Sequence, residues 1–160
     1  MKIGFRLSVV VLTLVAATMP VVGQQGAAHP DFSGTWKLNE KKSDLSGKSP
    51  LAGETIVITC NGLTIEMKHA SVIDGHEVVQ SFIADGQPRT VKETPRIEIE
   101  TKAFWEKSSL VVVKTTHQSI LPNKSSAVIT SRWVLSKDGR MLKSELSMIG
   151  FSHNYVYDKQ

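Results

Sequence analysis

The chain has 160 residues, 19 Lys and Arg against 15 Asp and Glu, 41% hydrophobic residues and a single cysteine. That length suits one domain with a real core, and one thiol excludes an internal disulfide framework. The charges are interspersed rather than gathered into a basic run, so nucleic acid is not an expected partner.

Residues 1–23 read as an export signal. Lys2 and Arg6 give a positive start, Leu7 to Ala17 form a short apolar core, and Pro20 breaks it before Val21-Val22-Gly23. The apolar run falls short of the roughly 20 residues a spanning helix needs. Cleavage is expected at Gln24, with a second candidate site after Ala28, so the mature protein is expected to be secreted or periplasmic without a stable membrane anchor. Losing Lys2 and Arg6 lowers the net charge from +4 to +2. Residues 24–30 are expected to form a short disordered N-terminus, and residues 31–160 one β domain.

From Phe32 onward, apolar and polar residues alternate with period two, the mark of half-buried strands. The expected strands are 32–38, 54–60, 63–70, 76–84, 97–103, 108–118, 125–136, 140–149 and 152–158. Ile56, Ile58 and Cys60 share a face, which makes Cys60 a buried small hydrophobe. Leu63, Ile65, Met67 and His69 share another, as do Ile97, Ile99, Thr101 and Ala103, then Ala127, Ile129, Trp133 and Leu135, then Leu142, Leu146 and Met148. Turn signals stand between the runs at Asn61-Gly62, Asp74-Gly75, Asp85-Gly86 and Asp138-Gly139. The polar stretch from Asn39 to Gly53 reads mainly as a loop, with room for one helical turn capped at Ser43. Eight or nine antiparallel strands in sequential hairpins predict an up-and-down β-barrel, closure removing the exposed edges. A β-sandwich is the alternative.

The opening strand Asp31-Phe32-Ser33-Gly34-Thr35-Trp36-Lys37-Leu38 resembles the first strand of the calycin barrels, the lipocalins and fatty-acid-binding proteins. The closing segments Arg132-Trp133-Val134-Leu135 and Tyr155-Val156-Tyr157-Asp158-Lys159 resemble the last strands of that group. Most closely, the chain resembles small bacterial exported proteins that begin with Phe-Ser-Gly-Thr-Trp-Lys-Leu. The resemblance implies structural roles for Gly34, which allows close packing at the barrel base, and Trp36, which plugs the closed end. It also implies an arginine from the last strand lying across the Trp; this chain has no obvious arginine in its final strand, and Arg132 and Lys159 are the available substitutes. The Thr-Asp-Tyr motif of typical lipocalins and the helix pair of fatty-acid-binding proteins are absent.

The sequence holds no nucleophile elbow, phosphate loop, metalloprotease motif or paired-cysteine metal spacing. No catalytic residues, cofactor or metal site are therefore expected. His69 and His76 flank the Asp74-Gly75 turn, but a structural metal site wants four ligands, and they read as exposed hairpin histidines. The function expected from this pattern is an exported binding protein for a small apolar ligand. Met67, Ile99, Trp133 and Leu146 are its expected interior lining, and Phe104 with Trp105 an aromatic pair at its mouth. The competing expectation is a packed barrel acting as a protein-interaction or inhibitor domain with no small-molecule ligand.

Overall fold

A computed structural model describes residues 29–45, 53–70, 75–120 and 123–160. The export segment and both candidate cleavage sites lie outside them.

Ten antiparallel strands form one meander: β1 (Gly34–Leu38), β2 (Thr55–Asn61), β3 (Thr64–Ala70), β4 (Glu77–Ile83), β5 (Arg89–Thr94), β6 (Ile97–Glu106), β7 (Ser109–Ile120), β8 (Asn123–Leu135), β9 (Met141–Met148) and β10 (Phe151–Lys159). The sheet order is β4-β3-β2-β1-β10-β9-β8-β7-β6-β5, so first and last strands pair and the two sheet ends are β4 and β5. The sheet curls until those ends approach. The Asp85–Phe104 bridge and the bond from Gly86 N to Ala103 O (2.8 Å) tie the β4–β5 connection to β6. The result is an all-β half-barrel.

β5 is the one strand not expected from the sequence. All six of its residues are exposed, and Val91 is its only large apolar side chain, so no buried face imprints a period of two on it. Its pairing with β6 is a matter of backbone ladder and turn, with the register shifting between Lys92 and Thr94. The β2–β3 hairpin also turns one residue later than the dipeptide signal suggested. Asn61 pairs with Thr64, leaving Gly62 and Leu63 as the central residues. Gly62 takes φ +60° and Leu63 does not take positive φ, the pattern of a II′ turn with glycine first. Leu63 is accordingly 45% exposed and leaves the buried face it was expected to share.

The period-two faces curl inward together. Trp36, Leu38, Ile56, Ile58, Ile65, Met67, Phe82, Ala103, Leu110, Leu142 and Tyr157 form one buried cluster, with Phe32 packed in from the preceding segment. Cys60 is half-buried against that cluster, and burial pushes its thiol up. Of the Asn39 to Gly53 stretch, the described part is a turn strapped onto β10. The Ser43 hydroxyl donates to Asn39 O (2.8 Å) and accepts from Val156 N (2.9 Å), and Asp44 accepts from both nitrogens of Asn154.

Candidate functional site

The closed end of the half-barrel is built on Trp36. Its indole is fully buried, and its Nε1 donates to Phe32 O at 2.9 Å. Register places Lys159 opposite it on β10, and the Lys159 Nζ stands 5.2 Å from the ring centroid. The cation across the tryptophan is therefore a lysine of the last strand. Arg132 is engaged elsewhere, with Glu106. Gly34 sits beneath, at φ +141°, where a Cβ would come within 2.9 Å of the Lys159 Cε. Residue 34 has no side chain to press on the lysine where it crosses the tryptophan.

Phe104 and Trp105 are divided by the pleat. Consecutive strand residues point to opposite faces, so the two cannot cover one opening together. Trp105 turns inward and packs on Phe32 (centroids 5.4 Å), while His29 stacks on it at 4.4 Å and nearly parallel. It belongs to the closed end. Phe104 lies on the outer face, under the Asp85–Gly86 connection and beside Lys102, whose Nζ is 5.5 Å from its ring.

On the concave face, next to the packed core, lies an open cavity of about 190 Å³. Its apolar wall is Ile56, Met67, Trp133 and Leu146, with the Tyr157 ring 6.1 Å from that of Trp133. Three of the six residues expected at a ligand site, Met67, Trp133 and Leu146, thus come together here. Ile99, Phe104 and Trp105 lie outside this lining. Ile99 stands on β6, which pairs with β5 and β7 and contributes none of the lining residues.

The cavity also has a polar wall that the sequence reading did not assemble. Glu54, His69, Gln80, Ser131, Ser144 and Tyr155 complete its lining. The Tyr157 hydroxyl donates to Glu54 Oε2 at 2.8 Å. His69 Nδ1 lies 3.5 Å from Glu54 Oε1, within ion-pair reach, but it is shielded from solvent and makes no hydrogen bond. The Gln80 amide nitrogen stands 3.5 Å from the other ring nitrogen of His69. His69 is therefore not the exposed hairpin histidine expected, because its side chain follows Ile65 and Met67 to the concave face. Burial, with the Glu54 carboxylate beside it, holds Tyr157 far above the ordinary tyrosine range. Burial likewise raises Tyr155.

A larger depression, about 390 Å³, lies at the tips of the β5–β6 and β7–β8 hairpins among Lys92, Arg96, Glu98, His117 and Lys124. Its charged side chains are largely solvated and of mixed sign, and its apolar lining is limited to Pro95 and Ile97, against the four large apolar side chains beside Trp133. The cavity beside Trp133 is the better built site.

Fold and floor together define a calycin-like half-barrel with an open concave face. Solved structures that share that fold include the following two. One is secretory abundant heat soluble protein 4 from Ramazzottius varieornatus, with a TM-score of 0.58 and 11% identity over 84% of this chain and 99% of the other. The second is apo lipid binding protein 8 from Caenorhabditis elegans, with a TM-score of 0.53 and 18% identity over 81% of this chain and 95% of the other. No family model and no curated protein matches the chain.

Proposed function

We propose that the protein is an exported carrier or receptor for a small, mainly apolar molecule held on the concave face beside Trp133. The carrying observation is the cavity itself. Ile56, Met67, Trp133 and Leu146 leave about 190 Å³ open next to the buried core. The space is an open concavity with a large apolar wall and a few polar groups at its side, the composition of small-molecule sites. The volume is below the roughly 300–1,000 Å³ of pockets for drug-sized ligands, which favours a short molecule or one end of a longer one. The likeness to a protein named for lipid binding supports the same reading. Export rests on residues 1–23, and N-terminal sequencing of the exported protein that found Met1 would refute it.

The binding test is native mass spectrometry of protein purified from its own host, paired with a variant that fills the cavity. Ser131 is half-buried in the lining, and Ser131→Phe places a ring in the open space. The expected outcome is a retained small molecule on the unaltered protein and none on Ser131→Phe, with far-UV circular dichroism unchanged. A bare unaltered protein that also takes up no apolar probe would favour a packed interaction domain instead.

A further inference from the structure

Building on the cavity reading above, we infer that the molecule held there carries a carbonyl-type hydrogen-bond acceptor, placed against the hydroxyl of Ser144. Ser144 interrupts an apolar face. Leu142, Ser144 and Leu146 stand on the same side of β9, and Leu142 is fully buried. The ladders set Ser144 between Trp133 on β8 and Tyr155 on β10. At 4% exposure it is the one buried polar residue among the described residues, and among them its side chain makes no hydrogen bond. The polar side-chain atoms that are both sealed from solvent and unpartnered there are His69 Nδ1 and Trp105 Nε1. The Ser144 oxygen is not one of these, so it opens on the cavity it lines.

A hydroxyl in that position has a proton without an acceptor. Folded proteins tolerate an unmet lone pair somewhat better than an unmet donor, so the group that completes Ser144 is one that accepts. The Ser131 and Tyr155 hydroxyls line the same cavity and likewise bond to none of the described residues. Burial raises the Tyr155 pKa, so that hydroxyl also keeps its proton. A carbonyl oxygen offers two lone pairs and no proton of its own. Placed over Ser144 it accepts there and has capacity for a second hydroxyl, while its hydrocarbon arms rest on Ile56, Met67, Trp133 and Leu146. A pure hydrocarbon would cover Ser144 and strand its proton, at the cost of an unsatisfied buried donor. An ammonium brings only further protons to a wall already supplied with donors.

Calorimetric titration of the purified protein with butyrophenone, butylbenzene and 1-phenylbutylamine tests this, because the three share one skeleton and differ at a single carbon. Ser144→Ala should weaken butyrophenone by roughly fivefold, the worth of one net hydrogen bond. It should leave butylbenzene within about twofold of the parent, the scatter of independent effects. Ser144→Cys keeps the size but offers only a weak donor, and should behave like the alanine variant. Without ligand, the urea midpoint of Ser144→Ala should match or exceed the parent's, since no bond within the protein is lost. A lowered midpoint would show the hydroxyl engaged by the protein itself and overturn the assignment. So would a loss on Ser144→Ala that is equal for ketone and hydrocarbon, or greatest for the amine. Each of those results leaves the cavity reading intact. If the parent binds none of the three, the cavity reading falls and the acceptor falls with it.

Discussion

Replacing Trp36 by alanine should be the most damaging single change in the floor of the half-barrel. Its side chain is 0% exposed and anchors a cluster that includes Phe32, Ile56 and Ile58. Emptying a large buried aromatic site costs about 3–5 kcal/mol from lost transfer energy and the residual cavity. Two smaller losses join it. Phe32 O loses the indole donor at 2.9 Å, worth about 1 kcal/mol net. The Lys159 contact at 5.2 Å is worth about 0.5–1 kcal/mol, because the ammonium is solvated. Against a total stability of about 5–15 kcal/mol for such domains, the sum is a large fraction. Urea unfolding followed by circular dichroism reads it as a fall in midpoint at nearly constant slope. Trp36→Phe separates the terms. It retains most of the apolar burial, so it should cost about 1–3 kcal/mol, chiefly for the orphaned carbonyl and the smaller ring. If Trp36→Ala cost less than about 1 kcal/mol, or spared stability while abolishing ligand binding, the indole would not be the floor.

Gly34→Ala should destabilise by about 1–3 kcal/mol, since φ +141° is a backbone conformation L residues rarely adopt. A Cβ there would also press on Lys159, so the same variant should alter Trp36 fluorescence; a neutral outcome would deny the close approach at the floor. Tyr157 supplies a pH dependence. Its folded-state pKa is raised by burial and by Glu54, so its neutral form contributes stability that is fully present below the ordinary tyrosine value of about 10. That stability is lost as pH rises above 10 toward the folded value. Urea midpoints measured from pH 9 upward should therefore fall less steeply for Tyr157→Phe than for the parent, and parallel curves would contradict the burial argument.

The alternation of residues wrote most of the fold into the sequence. Wherever one face of a strand is buried, as for Ile56 and Ile58 or Ile65 and Met67, the period of two is plain. Where neither face is buried it vanishes, which is why Arg89 to Thr94 did not read as a strand although its backbone pairs along β6. Strand ends were less legible for a related reason. The β2–β3 turn is set by which residue tolerates positive φ, and a dipeptide signal centred on Asn61-Gly62 does not say whether glycine comes first or second. The lysine over Trp36 was legible only as a candidate, because pairing between residues 36 and 159 depends on the register of the whole meander.

The site was less legible than the fold, and the reason lies in what alternation encodes. It fixes the face on which a residue stands, but not its depth along the barrel. Met67, Trp133 and Leu146 share a cavity wall, whereas Trp105, also inward, belongs to the floor with Phe32 and His29. Depth follows from strand tilt and stagger, which emerge only when all the ladders are assembled. The polar wall did leave a trace. Glu54 is two residues before Ile56, in phase with the buried face of β2, and His69 is in phase with Ile65 and Met67. Charged or titratable residues in phase with a buried face contradict the local pattern, and such contradictions concentrate at functional sites. A surface reading resolves that conflict at His69 by supposing that the strand has already left the core. The sheet resolves it differently, carrying Glu54, His69 and Tyr157 across three strands to one place. There a carboxylate and an imidazole stand at the edge of an apolar hollow.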